Sequence, residues 1–221
     1  MTQMTTVKLD ILSDPICPWC YIGKTHLDKA LAEVPDHPFV IEWHPFQLNP
    51  DMPREGMDRR DYLERKFGGK DGAVKAYAPV VEHAGNAGLT INFEAMTRTP
   101  NTLDAHRLIH WAGIEGKQTE VVDALFQAYF VDAKDIGDHT VLAGVAREAG
   151  MDADVAARLL QGDSDVQAIQ DRDAHSRKMG VSSVPTFIVA SQHAVPGAQP
   201  PELWKQVIKD IQQQLKDAEA E

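Results

Sequence analysis

Cys17 and Cys20 are the only cysteines in the chain, and they share one motif, Ile16-Cys17-Pro18-Trp19-Cys20-Tyr21. Three kinds of chemistry use a Cys-x-x-Cys pair. Structural zinc takes four N or S ligands, but there is no second cysteine pair, and His26 and His44 fit no finger spacing. A structural disulfide closing so short a loop constrains the unfolded chain little, and such bonds are uncommon in reducing compartments. A redox dithiol needs a strand-to-helix junction within a βαβ unit. The surrounding sequence favours this third reading.

The junction is visible on both sides of the motif. Val7, Leu9, Ile11 and Leu12 make a β-branched-rich, nearly alternating run that stops at Ser13-Asp14-Pro15. Beyond it, Tyr21, Ile22, Leu27, Ala30, Leu31 and Val34 recur at helical spacing. Pro18 suits the first helical turn, where a missing N–H costs nothing. Cys17 is thereby placed at the N-cap, where unpaired N–H groups and the helix dipole favour an anion. A thiolate is the species that attacks a disulfide. Cys20, one turn further in, is the less exposed thiol and the one that resolves a mixed disulfide. Pro18 and Trp19 fix the turn and offer an apolar rim.

Other elements must hold this junction. Residues 39–43 alternate as a second strand closed by Pro45, completing strand, helix and strand. Strand character returns only at 184–189 and 192–196, before an amphipathic helix over 202–215 marked by Leu203, Trp204, Val207, Ile208 and Ile211. Between these ends, 59–179 carries helical patterns over 102–112, 119–131, 138–150, 152–162 and 164–180, with Gly150 as a helix stop. So long a stretch exceeds an ordinary crossover. The predicted architecture is α/β: 1–58 and 180–221 form one discontinuous domain, and 59–179 forms an all-helical insertion. Pro185 opens a strand where it cannot donate to the ladder. Asp10, inside an apolar strand, reads as a solvated strand-end carboxylate in preference to an acid–base partner for Cys20. The acidic run 163–173 reads as a solvated helix face.

Apolar residues make up 43% of the 221 and charged residues 25%, a globular balance. Twenty-two basic against 33 acidic residues give a net charge of −11, which argues against non-specific nucleic-acid binding. Two cysteines exclude a disulfide-rich scaffold. No apolar stretch approaches the roughly 20 residues that span a bilayer, so no membrane partner is expected. The polar start, Met1-Thr2-Gln3-Met4-Thr5-Thr6, lacks the pattern of a secretory signal, and a cytoplasmic location is expected.

Three segments occur together in one order: Ser13-Asp14-Pro15-Ile16-Cys17-Pro18-Trp19-Cys20-Tyr21-Ile22-Gly23, Asn101-Thr102-Leu103-Asp104-Ala105-His106-Arg107-Leu108, and Gly180-Val181-Ser182-Ser183-Val184-Pro185-Thr186-Phe187. With the turn Gly197-Ala198-Gln199-Pro200, they resemble the DsbA-like thioredoxin family, in particular its FrnE-type cytoplasmic branch, over nearly the whole chain. The resemblance implies a thioredoxin-like fold, a central mixed sheet flanked by helices, with a large all-helical insertion. It implies thiol–disulfide oxidoreductase activity with Cys17 as nucleophile and Cys20 as resolving thiol. Pro185 becomes a cis-proline packed against the dithiol, and Val184 offers its backbone to an extended substrate. Asn101 and His106 become candidates for substrate contact or for tuning Cys17; the plainer reading is a helix-cap Asn and a structural His. The implied partners are proteins or small molecules carrying thiols or disulfides. No metal or tightly bound cofactor is implied, and glutathione is a candidate reductant or substrate. Some FrnE-type relatives carry a second dithiol, which two cysteines cannot supply. A glutathione-dependent isomerase or transferase of the 2-hydroxychromene-2-carboxylate isomerase and kappa-class type is the alternative. Such enzymes typically present a serine at the nucleophile position, so the intact dithiol argues against it.

Overall fold

The computed structural model describes residues 5–220. Residues 1–4, on which most of the expected cytoplasmic location rests, lie outside them. The chain runs β1 (Val7–Ser13), α1 (Pro18–Glu33), β2 (Phe39–Pro45), β3 (Met57–Asp58), α2 (Arg59–Phe67), α3 (Lys70–Asn86), β4 (Arg98–Thr99), α4 (Leu103–Ile114) and α5 (Gln118–Phe126). A π-turn (Gln127–Val131) continues α5. Then come α6 (His139–Glu148), α7 (Ala153–Leu160), α8 (Val166–Lys178), β5 (Thr186–Val189), β6 (His193–Pro196) and α9 (Pro201–Ala220).

β1 is buried from Leu9 to its end because it has a partner on each side. It pairs in parallel with β2, Val7 opposite Phe39 and Ser13 opposite Pro45. It runs antiparallel to β5, with Ile11 opposite Phe187, and β6 closes the far edge. The sheet is therefore mixed, with order β2-β1-β5-β6, as the family resemblance implies. α9 seats Trp204 and Ile208, both fully buried, on this sheet, Trp204 meeting Phe187 edge-on at 4.7 Å.

The helices of 59–179 complete the same core. Leu108 of α4, with Val122 and Phe126 of α5, shares one apolar cluster with Leu9 and Trp43 of the sheet. Their periodicity places them as expected, and Asp138 and Asp152 cap α6 and α7 by accepting from two backbone N–H groups each. The stretch is not wholly helical, however. Met57 and Asp58 pair with Thr99 and Arg98 in a short antiparallel ribbon. Strands this brief show no alternation that a sequence pattern can register.

Two expected solvated carboxylates are buried. Asp10 is 8% exposed, 2.9 Å from the Lys8 ammonium and 2.6 Å from His44 Nε2. Asp173 accepts from the Gln47 N–H at 2.7 Å and pairs with Arg177. In both cases a nearby cation, Lys8 or Arg177, offsets the cost of burial, and the groups that close over them, His44 and the Gln47 N–H, come from distant segments that local polarity does not reveal.

Candidate active site

The site begins where β1 ends. The fully buried Asp14 carboxylate accepts from Leu48 N–H at 2.6 Å and Ile16 N–H at 3.4 Å, tying the exit of β1 to the chain leaving β2. The Asp14 carbonyl accepts from Cys17 N–H at 2.9 Å, which sets the turn into α1. Burial pushes the Asp14 carboxyl up to about 7, against the pull of those N–H groups.

Cys17 is the N-cap of α1, in extended geometry, with Pro18 following. No side chain caps this helix end, so the partial positive charge there faces the Cys17 sulfur without competition. Cys17 Sγ lies 3.6 Å from the Val184 carbonyl oxygen, within reach of an S–H donor, and the Val184–Pro185 peptide bond is cis. Gly23 of α1 allows this approach: a Cβ there would stand 3.0 Å from Pro185 Cγ and 3.3 Å from Ala198 Cα. Cys20 lies behind, 1% exposed. Burial and its hydrogen bond to Cys17 raise the Cys20 thiol well above its ordinary value, while Ser13 and the Asp14 backbone N–H lower it in part.

A cavity of about 320 Å³ opens beside Cys17. Pro18, Trp19 and Val184 form its rim with Ser182 and Ser183, and α2 and α3 supply Tyr62, Phe67, Tyr77 and Val80. Thr99 and Tyr129 line it too. Its charged residues are Arg59 and Lys66, and its lining holds no carboxylate among the described residues. Cys17 lines this space and Cys20 does not. A larger hollow of about 570 Å³ over the free edge of β2 contains neither cysteine.

The structure therefore brings Cys17, Pro18, Trp19 and Val184 to one cavity, while Pro185 packs beside Gly23 of α1 and Cys20 is buried behind Cys17. It does not bring Asn101 or His106 there. Asn101 accepts from Leu103 N–H at the start of α4 and donates to Met52 carbonyl oxygen at 2.6 Å. His106 is 2% exposed, its Nε2 3.8 Å from Asp14 Oδ1, and burial lowers its pKa to about 4. Asp10, Glu42 and His44 place potential ligand atoms within 4.8 Å of one another. Lys8 already bridges the two carboxylates, and Arg172 donates to His44 Nδ1, so resident cations balance that cluster.

Sequence reading did not single out Asp14 or Arg59. For Arg59 a local signal exists: it is the first residue of α2, just after the Asp58 cap. A cation there opposes the helix dipole, and such a conflict marks a residue kept for another reason.

Residues 8–209 match the model of the DSBA-like thioredoxin domain family. The chain is 28% identical over 209 residues to YwbO of Bacillus subtilis, an uncharacterised protein, covering 94% of this chain and 98% of that one. Its structure is similar to that of a probable DsbA oxidoreductase from Streptomyces coelicolor, with a TM-score of 0.80 and 27% identity, covering 92% of this chain and 89% of that one. It also shares its fold with a 2-hydroxychromene-2-carboxylate isomerase, with a TM-score of 0.70 and 15% identity, covering 96% and 98% of the two chains. Among the described residues no helix is long and apolar enough to cross a membrane.

Proposed function

The chain belongs to the DSBA-like thioredoxin domain family, and on that premise we propose that it exchanges disulfides through Cys17, with Cys20 as the resolving thiol. One observation carries the assignment of roles: Cys17 caps a helix and faces the cavity, while Cys20 is shut behind it. The Cys17 thiolate attacks one sulfur of a substrate disulfide; that S–S bond breaks and the other sulfur leaves as a thiolate. Cys20 then loses its proton and attacks Cys17 Sγ, expelling the second substrate thiolate. Two electrons pass from the dithiol to the substrate, and the reverse sequence oxidises a substrate dithiol. The Val184 backbone beside Cys17 is the place for an extended substrate segment. Asn101 and His106 make no substrate contact in this reading.

In the cytoplasm, the location expected from sequence, a low-molecular-weight thiol such as glutathione recycles the protein disulfide. The resolving step speeds up with rising pH, because burial holds the Cys20 proton tightly. Cys17→Ser reduces insulin-disulfide exchange to the uncatalysed rate, and Cys20→Ser accumulates a mixed disulfide that mass spectrometry detects. Full exchange activity in Cys17→Ser overturns the proposal. Isomerisation of an aromatic substrate with glutathione, retained in Cys20→Ser, would favour an isomerase role like that of the structural neighbour.

A further inference from the structure

Arg59 is 6% exposed and forms no ion pair among the described residues. Its guanidinium donates to Tyr129 Oη at 3.3 Å and Tyr77 Oη at 3.2 Å, and it lies over the rings of Tyr77 and Phe93. A buried cation without an anion is costly, and proteins ordinarily pair it. This one lines the cavity that holds Cys17, where the second charge is also positive, Lys66. Among the described residues Lys66 hydrogen-bonds only neutral oxygens, those of Tyr62 and Asn49. The setting sharpens the point, because the chain carries 33 acidic residues against 22 basic and places none of those acids in the cavity wall.

A second observation points the same way. Thr99 is 1% exposed and lines the same cavity; it lies beside the Tyr129 phenol, yet its Oγ1 makes no hydrogen bond within normal distance and angle. Buried hydroxyls without partners are uncommon in native structures and call for an explanation. Five aromatic side chains, Trp19, Tyr62, Phe67, Tyr77 and Tyr129, share the wall with aliphatic residues such as Leu48 and Val80. A volume of about 320 Å³ lies at the lower end of the range for small-molecule sites and is far too small for a folded partner.

Building on the redox reading above, we propose that this chamber selects one half of a small aromatic disulfide bearing a carboxylate, with Arg59 as the carboxylate's partner. Aromatic walls hold the ring, the guanidinium and the Thr99 hydroxyl meet the carboxylate, and the disulfide sulfur is presented to Cys17. The Cys17 thiolate forms a bond to that sulfur and the other aryl thiolate departs. Attack by Cys20 on Cys17 Sγ releases the held aryl thiolate and leaves the protein disulfide. The dithiol loses two electrons, the aryl disulfide gains them, and the two thiol protons pass to solvent.

The test is single-turnover oxidation of the reduced protein by two probes. One is 5,5′-dithiobis(2-nitrobenzoate), aromatic and anionic; the other is 4,4′-dithiodipyridine, aromatic and neutral. Each rate is divided by that of a simple thiol with the same probe. Loss of a charge-assisted hydrogen bond predicts that Arg59→Met slows the anionic probe about 10- to 100-fold. The neutral probe is expected to stay within about two-fold, since no such bond is lost there. Arg59→Gln, which can still reach the tyrosine hydroxyls, gives the same selective loss and guards against a folding defect. Equal rates in wild type and both variants overturn the inference and leave the redox proposal standing. Equal losses for both probes give Arg59 a structural role and also overturn it. Absence of exchange with either probe in the wild type instead defeats the redox proposal.

Discussion

Two arginines are buried in this protein, and they are buried differently. Arg107 of α4 is fully inaccessible and fully engaged: it donates to Asp104 at 2.7 Å and to the carbonyls of Ser164, Leu159 and Gly162, also at 2.7 Å. Trp111, beneath its guanidinium, is anchored in turn to Asp165. Arg59 has two phenolic oxygens and, among the described residues, no anion. The first arginine closes the end of α7 onto α4, and its charge is spent on Asp104 and on backbone carbonyls, two of which, those of Ser164 and Gly162, it alone serves among the described residues. The second leaves donor capacity facing a cavity beside a reactive thiol. A buried charge with every bond made points to architecture; one with bonds left over points to a ligand.

Stability measurements sharpen this contrast. Arg107→Met strands the Ser164 and Gly162 carbonyls, leaves Asp104 with His139 alone, and is expected to cost about 3–5 kcal/mol by denaturant unfolding. It leaves the ratio of rates for anionic and neutral disulfides unchanged. Arg59→Met is expected to cost about 1 kcal/mol, because Tyr129 still donates to the Arg98 carbonyl. Equal costs for the two would erase the distinction between them.

Asp14 and His106 extend the contrast to groups buried against their own charge. Burial pushes the folded Asp14 carboxyl from an ordinary 3.8 up to about 7. The fold therefore binds the extra proton, and Asp14's contribution, whole below about 4, is lost as pH rises through 7. The folded His106 titrates near 4 against 6.5. Its contribution is whole above about 6.5 and lost as pH falls through 4. Between these limits the two slopes oppose. Asp14→Asn should expose the histidine's rising slope and His106→Gln the carboxylate's falling one, each on the order of a few kcal/mol in urea unfolding across that range. Parallel profiles in both variants would mean that neither group carries its charge penalty in the fold.

The smallest effect belongs to the balanced cluster on β1 and β2. Lys8, 46% exposed at its side chain, bridges Asp10 and Glu42, and exposed pairs contribute little. Lys8→Met should shift stability by about 1 kcal/mol or less and leave disulfide exchange untouched. A drop in exchange would tie this cluster to the thiols.

Sequence made the thiol end of the site legible because its physics is local. A strand stop, a proline at a first helical turn and a cysteine at its cap lie within a few residues of one another, and Pro185 stands where a ladder donor is missing. The helices from α4 onward announced themselves by apolar periodicity. The walls of the cavity did not. α2 is nearly all polar, Arg59-Arg60-Asp61-Tyr62-Leu63-Glu64-Arg65-Lys66-Phe67, and α3 carries Pro79 inside it, so neither shows a clear stripe. What makes Arg59 informative is the lack of a counterion in space, and Asp10 and Asp173 misled for the converse reason. Each has a local cation, Lys8 or Arg177, but is closed in by a distant group, His44 or the Gln47 N–H.

Gly23 has no reactive atom, yet it limits what mutation can do to the reactive ones. Its missing side chain leaves the room that Pro185 occupies beside α1. The two positions are therefore coupled: an alanine at 23 crowds Pro185, and a smaller residue at 185 relieves that contact while Ala198 Cα still presses at 3.3 Å. An evolutionary path that reshapes the loop facing Cys17 thus runs more easily in one order. A change at 185 eases a later alanine at 23, and that alanine then disfavours a return to proline.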